Sequence, residues 1–202
     1  MAEQHLERPL SALDVIYTRR SVRSYERKKL DASTIRALLD AAVQAPTALH
    51  AEPWAFVVVQ TEAVLKRCSE RAKAAWAHYA DEHRELHLAG AARSEFADRL
   101  ADPGFSLFYD AGTLIVICAK PMGPFVVGDC WLAAENLMLA ASAMGLGTCC
   151  IGSAVPALNA AETKAELGIP ADVTAVAPII VGVPRGEAAP ASRRDPEILS
   201  WT

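Results

Sequence analysis

Residues 129–144 constrain this chain more than any other stretch. They run Asp-Cys-Trp-Leu-Ala-Ala-Glu-Asn-Leu-Met-Leu-Ala-Ala-Ser-Ala-Met, and read as one long helix with Gly145 at the position just past its end. Trp131, Leu132, Leu137, Met138, Leu139, Ala141 and Met144 leave hardly any polar face. A helix that is apolar nearly all round must lie in a core or against another subunit. The chain has 202 residues, 52% hydrophobic and 22% charged, which is enough to enclose such a helix within one domain.

The remaining elements fall around it. Ser11-Ala-Leu-Asp14 has the form of a capping box, and Leu13 and Ile16 predict a short amphipathic helix after it. A second helix is predicted from Asp31 to Val43, capped by Asp31 or Ser33, with Ile35, Leu38, Leu39, Ala42 and Val43 on one face. Trp54–Gln60, Thr113–Cys118, Thr148–Ile151 and Val173–Val183 are short, β-branched runs that read as strands. Glu62 to about Gly90 is helical, with Val64, Leu65, Cys68 and Ala72 on one side; residues 74–103 read as an insertion or lid. Pro156–Leu167 predicts one further helix, ended by Gly168 and Pro170. Alternation of strands and helices, taken alone, suggests a layered α/β domain. From Pro184 onward the chain turns Pro-, Ala- and Arg-rich and closes on Ile198, Leu199 and Trp201, an arm expected to dock on something.

Bulk charge excludes some functions. Lys and Arg total 20 against 24 Asp and Glu, a net −4, which argues against a general nucleic-acid binder or a protein of anionic membrane surfaces. Five cysteines without regular spacing give no disulfide framework. Residues 1–9 are polar, without a signal peptide's apolar core, and no run has the length of a membrane span. A cytoplasmic location is the expectation.

Against this acidic background Arg19-Arg20-Ser21-Val22-Arg23 sets three guanidiniums and a hydroxyl at the end of the first helix. Grouped arginines fit phosphate or carboxylate. Alone, the cluster favours a solvated basic surface. Downstream come Ala45-Pro46-Thr47-Ala48-Leu49-His50-Ala51-Glu52-Pro53-Trp54, then Gly145-Leu-Gly-Thr-Cys-Cys-Ile-Gly152, then Val183-Pro184 and Arg193-Arg194-Asp-Pro. In that order and spacing, across nearly the whole chain, these pieces resemble the nitroreductase family of flavoproteins. Two positions depart from its pattern: His50 stands where Asn is usual and Glu52 where Gln is usual.

The resemblance implies a single α+β domain over residues 1–202, with a central mixed β-sheet flanked by helices. It also implies an intertwined two-fold dimer with shared sites, in which residues 184–202 form the dimer arm. FMN is the implied cofactor and NAD(P)H the reductant, with a nitroaromatic, quinone or similar small molecule as acceptor. Arg19 and a tail arginine (Arg193 or Arg194) are implied at the phosphate. Arg20, Ser21 and Arg23 accompany them, with Arg23 toward the pyrimidine edge. Thr47, Ala48, Leu49, His50 and Glu52 are implied beside that edge, and Cys150, Ile151 and Gly152 against the ring, where a backbone N–H near Ile151 or Gly152 faces the nitrogen that receives hydride. No side chain is implied as catalyst, because the flavin carries the chemistry. Other chemistries on the same fold (dehalogenation, flavin breakdown, dehydrogenation) and a non-catalytic flavin sensor are the alternatives.

Three patterns point elsewhere and are set aside. His83 and His87 have a zinc spacing, but Arg84 stands where a metalloprotease places Glu. Adjacent Cys149 and Cys150 are poorly placed for a disulfide and read as core residues. Gly145-Leu-Gly147 follows a helix rather than a strand, so it is no dinucleotide fingerprint.

Overall fold

The computed structural model describes residues 11–82, 90–188 and 190–202. Helices α1 (Ala12–Thr18) and α2 (Ala32–Ala42) precede strand β1 (Trp54–Val59); α3 (Glu62–Glu82) and α4 (Gly90–Ala101) lead to β2 (Thr113–Ala119). Helix α5 (Val126–Ala143) is followed by β3 (Gly147–Cys150), α6 (Val155–Leu158), α7 (Ala161–Leu167) and β4 (Thr174–Gly182).

The strands form one sheet in the order β1-β2-β4-β3. The mixed sheet expected above is corrected in detail: β1–β2, β2–β4 and β3–β4 all pair antiparallel. A parallel pairing survives only as an isolated bridge between Ser21 and Thr148. The chain returns after β1 through α3 and α4 to run back along the same strand, so no parallel crossover unit arises and the α/β reading gives way to α+β.

The two central strands are apolar on both sides because both faces are covered. Leu114, Val116 and Cys118 of β2 pack with Cys68 and Ala72 of α3, and with Ala157 and Leu158 of α6. The alternate residues Ile115, Ile117 and Ala119 pack with Leu38 and Ala42 of α2 and with Ala133, Ala134 and Leu137 of α5. The two-residue alternation of a strand thus feeds two cores, one on each side of the sheet. Val64, Leu65, Cys68 and Ala72 do form the inner face of α3.

Local details follow sequence chemistry. Ser11 Oγ accepts from the Asp14 N–H at 3.1 Å and Asp14 Oδ2 accepts from the Ser11 N–H at 2.9 Å, the reciprocal cap its spacing predicts. Asp31, not Ser33, caps α2. Gly145 leaves α5 at φ 72°, in the left-handed region where glycine costs least.

Two expectations are corrected and a third is left half open. Helix α1 buries Val15, while Leu13 and Ile16 face outward, because contact with α5 is made from the other side. The helix predicted from Pro156 to Leu167 breaks in two at Asn159. Its side chain donates to Ala175 O and accepts from the Ala175 N–H, both at 2.9 Å, and Ala160 is then extended. Helix α5 buries Cys130, Ala133, Ala134, Leu137 and Ala141, yet Trp131 and Leu132 remain 42% and 48% exposed. His83 and His87 lie outside the described residues. Among the described residues no helix is long and apolar enough to cross a membrane.

Candidate functional site

The sheet ends on β3, and an edge strand offers unpaired backbone groups. Here the arginine stretch covers that edge. The Val22 N–H donates to Thr148 O at 2.9 Å, and Ser21 bridges Thr148. Further along, the Glu26 N–H donates to Val183 O and the Arg185 N–H to Ser24 O, each at 2.9 Å. Gly147 makes the approach possible: a Cβ there would stand 2.7 Å from a methyl of Val22. Tyr25, buried, fastens the stretch by donating from its hydroxyl to Val22 O at 2.7 Å, and burial pushes its phenol pKa far upward.

Consequently Arg19, Ser21 and Arg23 gather around Cys149. Burial raises the Cys149 thiol above its ordinary pKa, while the Arg23 charge and a Ser21 hydrogen bond pull the other way. Burial pushes Cys150 up to about 12, with the neighbouring Cys149 adding to the rise. Neither is a ready thiolate, which agrees with their reading as core cysteines.

The 151–152 segment resolves which backbone donor is available. The Ile151 N–H donates to Pro178 O at 2.8 Å and is occupied. Gly152 is exposed, a Cβ on it would meet nothing within 4 Å, and among the described residues its N–H has no partner. A free donor on open backbone thus follows three residues after Cys149, around which the arginine stretch gathers. This set suits a polar, anionic, flat ligand.

Other expected residues fall elsewhere in the chain. Arg20 turns back, donating to Tyr17 O at 2.7 Å and Arg19 O at 2.8 Å, so it caps the end of α1 instead of joining its neighbours. Arg19 reaches Glu135 of α5 at 3.7 Å. Thr47, Ala48, Leu49, His50 and Glu52 form a loop at the N-terminal end of α5, where Asp129 Oδ1 accepts from the Ala48 N–H at 3.2 Å. Asp129 and Glu135 are about 9 Å apart along the helix axis at the usual rise per residue.

That loop is strained. Leu49, His50 and Glu52 have φ of 55°, 53° and 44°, a region costly for side chains with a Cβ. Leu49 is 93% exposed at its tip. The Glu52 N–H donates to Thr47 Oγ1 at 3.4 Å, and among the described residues Glu52 makes no ion pair. Arg193 and Arg194 lie on an exposed tail with no hydrogen bond or ion pair to the arginine stretch among the described residues.

The family model for the nitroreductase family matches residues 16–183. The chain belongs to the nitroreductase family. Among its relatives in that family, a protein of Archaeoglobus fulgidus provisionally named an NADH dehydrogenase/NAD(P)H nitroreductase is 29% identical over 180 residues, 87% of this chain and 86% of its own. A crystal structure of a Bacteroides fragilis nitroreductase with bound FMN superposes with a TM-score of 0.74 at 27% identity, over 96% of this chain and 98% of that one. An iodotyrosine deiodinase crystallised with FMN and 3-iodo-L-tyrosine shares the nitroreductase fold at a TM-score of 0.72 and 19% identity, covering 95% of this chain and all of that one, a likeness of fold alone.

Sequence reasoning passed over two features of the site region. Asp129 is buried, with Oδ2 unpartnered, and anchors the 47–52 loop; an acid opening an otherwise apolar helix was the available signal. The second is a cavity of ≈ 390 Å³ beside Arg23, walled by Arg27, Arg99, Arg185, Phe105 and Tyr109. Its arginines are scattered through the sequence, and only the fold brings them together.

Proposed function

We propose that this nitroreductase-family chain is an FMN-dependent oxidoreductase. It takes hydride from NAD(P)H and delivers it to a nitroaromatic, a quinone or a similar small acceptor. The observation that carries the reading is that Arg19, Ser21 and Arg23 gather about Cys149, on a stretch held to the sheet edge by the Val22–Thr148 hydrogen bond, with the free Gly152 N–H three residues further along the chain. FMN bound there would supply two-electron hydride chemistry.

Each residue then has a physical task. Arg19 would hold the phosphate through charge-assisted hydrogen bonds, which are shorter and stronger than neutral ones. Ser21 and Arg23 would face the pyrimidine edge, where a cation favours negative charge. The Gly152 N–H would fix the ring nitrogen that exchanges hydride, and the missing Cβ leaves the backbone open to close approach. Asp129 holds the strained loop that presents Leu49 outward.

A homodimer belongs to the proposal. The 47–52 loop and the Arg193–Arg194 tail make no bond with the arginine stretch in their own chain, so a second copy would bring them to its site. Trp131, Leu132 and Leu13 supply apolar surface for that contact.

Purified protein tests the reading directly. It should be yellow, bleach on adding NADH or NADPH without air, and recolour with a nitroarene or quinone. A colourless protein that takes up no FMN, or a yellow one inert to both nicotinamides, would remove it.

A further inference from the structure

Beside Arg23 lies the ≈ 390 Å³ cavity, and its charge is one-sided. Arg23, Arg27, Arg99 and Arg185 line it, and the one carboxylate among its lining residues is Asp110. Asp110 is already committed to Arg27, at 2.8 Å. Among the described residues no carboxylate pairs with Arg23, Arg99 or Arg185. Three uncompensated guanidiniums therefore share a small concavity in a chain whose net charge is −4. Like charges so gathered repel, and a walled concavity focuses their field on whatever enters.

The arrangement is built from distant parts of the chain. Arg23 follows α1, Arg99 sits on α4, and Arg185 follows β4. The Arg185 N–H bond to Ser24 O, at 2.9 Å, ties two of these segments together. The guanidinium carbon of Arg99 lies 4.8 Å from the Phe105 ring centre and 5.5 Å from that of Tyr109. Those two rings meet edge to face at 5.4 Å, giving Arg99 an aromatic seat. Such a seat holds the cation by its face and leaves its N–H fork for an in-plane acceptor. The cavity is also of the size that takes small molecules.

We infer that this cavity is an anion subsite for the redox substrate, receiving a phosphate or carboxylate carried by the nicotinamide donor or by the electron acceptor. The inference rests on the function proposed above, because Arg23 would then border both the flavin and the subsite. Arg99 and Arg185 act as binding residues only. Helix α4 thus supplies a recognition residue, Arg99.

The test uses the FMN-loaded protein and the double variant Arg99→Gln/Arg185→Gln, both positions being exposed and tolerant of a polar amide. Inorganic pyrophosphate is titrated into each by calorimetry. Affinity in the parent that falls about tenfold or more in the variant, the expected loss of two charge-assisted donors, supports the subsite. Equal affinity in both, or no binding to either, overturns it. A variant that sheds FMN instead assigns these arginines to the flavin phosphate and also overturns it.

Two kinetic arms identify the source. Donor binding is read as KM for NADH and NADPH; acceptor binding as KM for 4-nitrobenzoate against neutral 4-nitrobenzamide, with dithionite-reduced enzyme. A rise of about tenfold for the donors or for the benzoate, with the benzamide unmoved, is expected. Equal rises for benzoate and benzamide, or no rise in either arm, overturn the inference. Failure of the proposed function reads separately, as a parent flavin that neither nicotinamide reduces while pyrophosphate binding is intact.

Discussion

Residues 19–23 and residues 190–202 both carry arginines, and the fold treats them oppositely. The first stretch is stitched to an edge strand by backbone hydrogen bonds, with Val22 pressed on Gly147 and Tyr25 buried beneath. The second lies open along its whole length, with Leu199 91% and Trp201 87% exposed. Full burial of a leucine side chain is worth about 1.5–3 kcal/mol, so leaving apolar residues on an open arm forgoes stability that a covering surface would recover. One arginine group is complete within the chain. The other is exposed throughout, and in the function proposed above it would be completed by a second copy.

The harshest way to break that contrast is to delete the arm. If residues 190–202 complete a partner's site, removing them should release both dimer and flavin. Light scattering and visible absorbance read the two losses together. A truncated protein that stays dimeric and yellow would leave the arm ornamental.

The stitched group is probed by Arg19→Ala, compared with Arg193→Ala and Arg194→Ala. Losing one charge-assisted phosphate partner costs about 1.5–3 kcal/mol, which is about tenfold to a hundredfold in affinity. Arg19→Ala should weaken FMN by that factor in a fluorescence titration, and one tail variant should match it. If Arg19→Ala binds as tightly as the parent, the phosphate lies elsewhere.

How much of this was legible in the sequence divides along the same line. The strands, the capping box at Ser11, a cap for α2 at Asp31 or Ser33 and the family likeness all rest on local spacing, and local spacing survives folding. The outward turn of Leu13 and Ile16 was not legible, because a helical period shows a face but not which neighbour will cover it. The break at Asn159 depends on Ala175, remote in sequence, and the gathering of Arg23, Arg99 and Arg185 depends on three separate elements. Of the two backbone donors that the sequence left open, Ile151 and Gly152, the Ile151 N–H is taken by Pro178 O, which depends on a remote strand, and the Gly152 N–H has no partner among the described residues.

Two glycines sharpen the contrast between scaffold and site. Gly147→Ala would drive a Cβ to within 2.7 Å of Val22 and lift the arginine stretch from its edge. Overpacking of that kind costs about 1–3 kcal/mol, readable as a lower urea midpoint with an unchanged slope. Gly152→Ala meets nothing within 4 Å and should leave the urea midpoint in place while weakening FMN. Should Gly152→Ala lose stability instead, its open backbone serves the fold and not a ligand.

The smallest effect concerns Glu52, where the family usually has Gln. Its backbone is held at φ 44° on the strained loop, and its carboxylate finds no ion pair among the described residues of its own chain. An arginine partner outside the pocket, the simplest way to make the residue purely structural, is thus missing from that set. An ionised carboxylate only accepts hydrogen bonds, whereas the usual amide also donates. Beside a flavin its charge would oppose the negative charge that reduction adds, unless Arg23 or a protonated His50 of the assembled site offsets it. Both act through space, so the effect is bounded: a two-electron couple moves roughly 30 mV per 1.4 kcal/mol, and a partly screened charge gives a shift of tens of millivolts. Glu52→Gln should therefore raise the midpoint potential by that amount and speed reduction by NAD(P)H, with FMN affinity nearly unchanged. High salt should shrink the difference between variant and parent, because the interaction is with exposed charge. A spectroelectrochemical titration that finds equal midpoints at low salt would show that the loop reaches no flavin at Glu52.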